Sequence, residues 1–204
     1  MLEEGLCSVT IKQHRYLKTT YEPQAQASNR LSRDFTSEQP NEKWVSDITY
    51  IPTNAGWLYL AVVLDIFSRK IVGWAMSSRA DSNLTCTALK HAIVQRTPDI
   101  PVLFHSDQGV QYTSMQFSDL LEQVGAVRSL SRKGNCWDNA VAESFFSKLK
   151  REWVPSRGYR TKEEARQDIF FYLEAFYNSK RRHASLGYLS PNQFEAKYGC
   201  DTSH

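Results

Sequence analysis

The chain has 204 residues, is 41% apolar and 12% aromatic, and carries a formal net charge of +3. That size and apolar content support one sizeable domain with an appendage and exclude an intrinsically disordered chain. The longest apolar run, Leu58 to Leu64, is too short to span a bilayer, and the four cysteines (Cys7, Cys86, Cys136, Cys200) are too scattered for a zinc site or a disulfide framework.

Residues 1–40 read as a lead-in that is polar around Gln24 to Asn29 and ends at Pro40. Three strands are expected next: Trp44–Ile51 around Asp47, Trp57–Leu64, and Lys70–Met76 with Gly73 inside it. Turn-prone segments separate them, so an antiparallel meander is predicted. Ser82–Gln95 then spaces Leu84, Ala88, Leu89, Ala92 and Ile93 as a helix does. A short buried strand, Val102–Ser106, leads to Asp107. A helix over Ser114–Val124, a strand over Val127–Leu130 and a helix over Asp138–Glu152 follow. A last long helix, Thr161–Tyr177, has Thr161 as its expected N-cap ahead of Glu164. This order describes an α/β chain with a five-stranded mixed sheet flanked by helices, as in a ribonuclease-H-like fold, with a helical C-terminal extension.

Three acidic residues fall where a metal-dependent nuclease needs them. Asp47 lies on the first strand, Asp107 follows the fourth, and Glu143 lies near the start of a helix. Carboxylates that converge from such elements can hold two Mg²⁺ (or Mn²⁺) ions roughly 3.5–4 Å apart, which stabilise the attacking and leaving oxygens of a phosphodiester. Taken singly, each has a plainer reading: a strand-edge aspartate, a turn former before Gln108-Gly109, a solvated helix charge. Their joint order is what carries the reading. Asp65 also ends an apolar strand and is the rival ligand, but a structural role capping the turn before Ser68 is preferred. His105 reads as a packed or hydrogen-bonded strand histidine, and Trp137 as a loop anchor with base stacking as the alternative.

On the helix bearing Glu143, residues three, four and seven apart share a face, so Asn139, Glu143, Phe146 or Ser147, and Lys150 form one stripe. Phe145, Phe146 and Leu149 are expected to anchor the core. Lys150 suits a phosphate contact beside the cut bond, and Arg132 and Lys133 lie in a basic loop before the helix. Residues 144–204 hold 11 basic and 7 acidic side chains, so the positive excess follows the third carboxylate. A polyanion would be drawn to that end.

The chain resembles insertion-sequence transposases of the OrfB type, which carry the retroviral-integrase core. The matching stretches are Trp44 to Ile51, Leu64 to Trp74, His105 to Tyr112, and Asn135 to Ala140 continuing through Glu143-Ser144-Phe145-Phe146 to Lys150. Tyr177-Asn178, Arg181-Arg182-His183, Leu186-Gly187-Tyr188 and Ser190-Pro191 complete the pattern. The resemblance covers roughly residues 41–198 and implies a DDE triad at Asp47, Asp107 and Glu143, with Lys150 as its basic partner. It also implies Mg²⁺ or Mn²⁺, and cleavage and strand transfer of DNA at transposon ends. On this reading residues 1–40 are the remnant of a helix-turn-helix region with a linker, 41–155 the catalytic core and 156–204 a basic extension. DNA contacts are expected at Lys150, Arg132, Lys133, Asn139, Lys148, Arg181 and Arg182. The expected partners are transposon-end and target DNA and further copies of the chain, in the cytoplasm and on the nucleoid, with no membrane or small-molecule partner. His14 to Thr20 resembles only the end of the region that precedes the core in such proteins. That motivates the alternative of a truncated, non-catalytic DNA-binding remnant that interferes with a full-length relative. A ribonuclease-H-type nuclease is the third reading, disfavoured by the Tyr177 to Pro191 block.

Overall fold

A computed structural model of the chain describes residues 28–132 and 136–198. Residues 1–27, Lys133 and the side chain of Trp137 lie outside the described residues, and with them the helix-turn-helix remnant expected around His14. Five strands form one sheet: β1 (Lys43–Thr53), β2 (Gly56–Asp65), β3 (Ile71–Ser77), β4 (Leu103–Ser106) and β5 (Val127–Leu130), in the order β3-β2-β1-β4-β5. The first three are antiparallel, and β4 and β5 join them in parallel, so the sheet is mixed as predicted. The helices are α1 (Ser82–Arg96), the single turn α2 (Val110–Thr113), α3 (Met115–Gln123), α4 (Ala140–Glu152), α5 (Lys162–Phe171) and α6 (Pro191–Tyr198). No helix among the described residues is long and apolar enough to cross a membrane.

Strand alternation gives the sheet two apolar faces. On one, Trp44, Ala61, Val63 and Phe104 meet Leu84, Ala88 and Leu89 of α1 and Phe117 and Leu121 of α3. On the other, Val45, Ile51, Leu60 and Val62 meet Phe145 and Leu149 of α4 and Ile169 of α5. Each fully buried large side chain contributes roughly 1.5–3 kcal/mol. Gly73 permits the closest approach: a Cβ there would stand 2.6 Å from the backbone nitrogen of Ala92, so α1 rests directly on β3.

Helix starts follow their capping chemistry. Asp81 accepts from the Leu84 amide, Ser114 from Phe117 and Thr161 from Glu164. The helix expected to run unbroken to Tyr177 changes at Tyr172–Tyr177 into a π-helical turn. That turn buries Tyr172, Leu173 and Tyr177 in the α4 core, together with Tyr159 and Ala165. The expected boundary after residue 155 is therefore crossed by one shared core, and the chain through Tyr177 completes that face of the sheet. Asn178 docks it further. Its buried amide donates to the Ile71 carbonyl and accepts from the Ile71 amide, both at 2.9 Å, completing the start of β3 as another strand would.

Candidate active site

The site is built by the parallel pairing of β1 and β4. Val45 is opposite His105, and Asp47 and Asp107 each lie two residues further on, so the strands deliver both carboxylates to the same end. Behind Asp47, Ser46 donates to the Val62 carbonyl at 2.7 Å. With its only proton spent, Ser46 must accept from the Tyr112 hydroxyl at 2.8 Å. That bond ties α2 to β1 and fixes the loop that carries Asp107. Within that loop the Gly109 amide donates to Asp107 at 2.9 Å. A Cβ on Gly109 would stand 2.9 Å from the same carboxylate oxygen, so only glycine leaves the group room. Tyr112 and Gly109 are positioning residues that pattern reasoning missed. Both lay in the quoted His105–Tyr112 run, and the Asp-Gln-Gly turn was the available signal.

Asp47 is half-buried, and its carboxylate takes a 2.8 Å bond from its neighbour's amide, that of Ile48. Burial raises its pKa to about 8, and the charges of Asp107 and Glu143 push in the same direction. Asp107 has an open edge, yet the protein around its carboxylate still raises its pKa. Glu143 is exposed on α4; partial desolvation raises its pKa too, and no hydrogen bond or ion pair among the described residues restrains it. Asp107 and Glu143 thus both act electrostatically on Asp47. The three carboxylates do not close into a ligand set: among the described residues no three His, Cys, Asp or Glu side chains stand close enough to hold a metal ion.

Lys150 is beside them. Its ammonium sits 4.2 Å from the centroid of the Tyr50 ring, a cation–π contact. Burial lowers its pKa while Asp47 partly restores it. The other expected DNA contacts fare differently. Asn139 is not at the surface: it is buried and donates to the Ser46 carbonyl at 3.3 Å, docking the start of α4 on β1. Arg132 is exposed, but its side-chain Nε and Nη2 are both 3.0 Å from the buried Asp138. Arg33 and Asn29 also bind Asp138, and the Arg132 bonds foremost hold that carboxyl well below the usual range. Arg181 forms a two-pronged pair with Glu152 at 2.7 and 2.8 Å. Lys148 is half-buried on the neighbouring face of α4, and Arg182 is exposed. His105 is a buried packing histidine whose Nδ1 is 2.8 Å from the Ser129 hydroxyl, and burial lowers its pKa to about 4. Asp65 is structural: it accepts from the Asn41 and Phe67 amides, the latter inside the turn before Ser68.

Two models of the integrase core domain match the chain, one over residues 37–136 and one over 125–191. The chain is 48% identical over 167 residues to the transposase for insertion sequence element IS904 of Lactococcus lactis, covering 82% of this chain and 66% of that protein. It is 44% identical over 171 residues to transposase InsF for IS3A of Escherichia coli, covering 84% of this chain and 59% of that protein. The chain therefore spans less than two thirds of the length of these relatives. The fold is that of integrase catalytic cores, a ribonuclease-H-like fold. A chain of the simian T-cell lymphotropic virus intasome in complex with a PP2A regulatory subunit superposes with a TM-score of 0.62 at 18% identity, covering 85% of this chain and 60% of that one. The HTLV-2 integrase catalytic core domain in complex with magnesium gives 0.52 at 16% identity, covering 76% and 97%. Sheet order, paired strand ends and relatives agree: this chain belongs to the integrase-core family, among the insertion-sequence transposases.

Proposed function

We propose that this chain carries the DNA-cleaving and strand-transferring chemistry of its transposase family, with Asp47, Asp107 and Glu143 as the metal-holding carboxylates. The observation that carries the reading is the parallel β1–β4 pairing, which brings Asp47 and Asp107 to one end of the sheet; burial, with the charges of Asp107 and Glu143, raises the Asp47 pKa to about 8. Like charges held together without a cation are costly, and a divalent cation reverses the cost. The donor set fits: three oxygen-only ligands suit Mg²⁺ or Mn²⁺ and exclude soft metals. When bound, a metal pair supplies polarisation of the attacking and leaving oxygens of a phosphodiester.

The chain's own residues supply the rest. Asp47 and Asp107 are carried to one end by the paired strands β1 and β4, and Glu143 on α4 has no hydrogen bond or ion pair among the described residues, so its carboxylate is available as the third ligand. Lys150 holds a strand phosphate next to the carboxylates. DNA and further copies of the chain are the partners of this reading. The relatives' names and the intasome neighbour support it.

The test is strand nicking and joining on DNA bearing the element's ends, with and without Mg²⁺. Wild-type protein should cut only with metal, and Asp47→Asn and Glu143→Gln should each abolish cutting. Salt-sensitive DNA binding with no cutting under any metal would replace this reading with the non-catalytic remnant.

A further inference from the structure

The face of α4 next to the carboxylate stripe borders a cavity of about 320 Å³ between α4, the end of β2 and the C-terminal segment. Phe145 and Tyr177 contribute to an apolar floor, while Arg69, Lys148, Ser144 and Ser185 supply its polar lining. Cationic groups outnumber anionic ones around it. Arg181 and Arg151 share Glu152, at 2.7 and 3.6 Å, and Asp65 is already bound by two backbone amides and lies 3.7 Å from Arg96. That leaves Arg69 and Lys148, neither of which has a carboxylate within ion-pair distance among the described residues.

Two buried nitrogens lack partners among the described residues, one on Arg69 in the lining and one on His183, which lies outside the lining but packs on Tyr177. Arg69 spends Nη2 on the Phe35 carbonyl at 3.2 Å, but its buried Nη1 has no acceptor. His183, 5% exposed and edge-on to Tyr177 with ring centroids 5.0 Å apart, has an unbonded Nε2. Burial foremost, then the charges of Arg181, Lys148 and Arg69, lower the His183 pKa to about 4, a measure of the positive field. Leaving a buried guanidinium N–H without an acceptor is costly, and an anion bound beside Arg69 would relieve that cost.

We propose that this cavity binds a phosphate group of a nucleic-acid strand crossing α4, gripped by Arg69 and Lys148, with Ser144 and Ser185 donating hydroxyls and the sugar resting on Phe145 and Tyr177. The site is separate from the carboxylates and from Lys150. Naming nucleic acid as the source rests on the transposase reading; the anion site does not.

The experiment uses the full chain without metal, so failure of cleavage leaves it unaffected. Inorganic phosphate, thymidine monophosphate and a short single-stranded oligonucleotide are titrated, following the Arg69 side-chain N–H by NMR and oligonucleotide affinity against salt. Both mononucleotide and phosphate should shift the Arg69 signal. Arg69→Gln and Lys148→Gln should each weaken the oligonucleotide about tenfold and lower its salt slope by about one. Ser185→Glu, on the exposed rim, should weaken it similarly without disturbing buried packing. If phosphate and mononucleotide shift Arg69 but all three variants bind the oligonucleotide normally, the ligand is a free phosphate compound and the nucleic-acid proposal fails. No shift with any probe, and unchanged affinity in every variant, removes the site altogether.

Discussion

The β1–β2 pair carries two acidic groups that the fold treats in opposite ways. Asp65 stands opposite Trp44, and Asp47 opposite Val62. Burial raises both, Asp65 to about 6 and Asp47 to about 8. Around Asp65 the fold offsets burial with the Asn41 amide, the Arg96 charge and the Phe67 amide. Its neighbour Glu195 is half-buried, yet Arg96, Ser68 and Lys70 together pull its pKa below the ordinary value. Around Asp47 two more carboxylates add to burial, and only the Ile48 amide and the Lys150 charge oppose them. Burial alone therefore does not mark a functional acid; what the fold places beside it does.

The largest effect should come from breaking the uncompensated group. Glu143→Gln should reduce metal-dependent strand cleavage by on the order of 10⁴-fold, with transition-state stabilisation lost rather than DNA binding. The metal-free protein should become no less stable, since a repelling charge has gone. Asp65→Asn is the control. If it lowered cleavage as far as Glu143→Gln without lowering stability, the division between the two groups would be wrong.

The compensated group should answer in stability. Glu195 on α6 receives Lys70 at 2.9 Å, Ser68 at 2.7 Å and a close two-pronged contact from Arg96. Glu195→Ala leaves the half-buried Arg96 with only the more distant Asp65, at a cost of about 3 kcal/mol. For a domain of this size that is a fall in melting temperature of roughly 6–12 °C, measurable by calorimetry. A fall under a degree would mean that α6 is held by its apolar contacts alone.

How far these groups were legible in the sequence follows from range. Every strand and the long helices showed in local patterns, because alternation and 3.6-residue spacing are short-range signals. The three carboxylates stood out because Asp47 interrupts an apolar strand, Asp107 follows another and Glu143 lies in the first turn of a helix. Single-turn α2 has no period to detect. The α6 helix did have a start signal: Ser190 accepts from the Gln193 amide while Gln193 accepts from the Ser190 amide, a capping box opened by Pro191. Asn139 looked like a surface residue on the Glu143 stripe, but contact with β1 buries it, and no helical spacing reports where a helix meets a strand. Arg132 and Arg181 looked like free DNA contacts for the same reason. Their carboxylate partners, Asp138 and Glu152, are visible only in three dimensions.

A histidine extends the comparison to a cation that must stay neutral. His183 has a pKa lowered to about 4, and its ordinary value is about 6.5. The folded state thus resists protonation that the unfolded chain accepts. Above pH 6.5 the group has no effect. As pH falls from 6.5 to 4 the unfolded state binds the proton first, and stability drops by up to about 3 kcal/mol. His183→Phe should flatten that part of the stability–pH curve in urea unfolding. A curve equally steep with and without the histidine would place the acid sensitivity elsewhere.

The smallest expected effect tests whether Asp107 belongs with Asp47 by design of its loop. Gly109 has a negative φ open to any residue, since it is absent from the left-handed positions. Its need for glycine is therefore spatial: a Cβ would press on the Asp107 carboxylate and on Gln111, both at 2.9 Å. Gln111 can move its flexible end, but Asp107 can yield only by giving up its bond from the Gly109 amide. Gly109→Ala should therefore leave melting temperature almost unchanged while weakening Mn²⁺ binding and cleavage together by about tenfold, equivalent to about 1.4 kcal/mol at the site. The same substitution in a Glu143→Gln background should still weaken Mn²⁺ binding, because the aspartate pair is set by β1, β4 and this loop. If the alanine protein bound Mn²⁺ as the wild type does, the tight fit beneath Asp107 would be packing and nothing more.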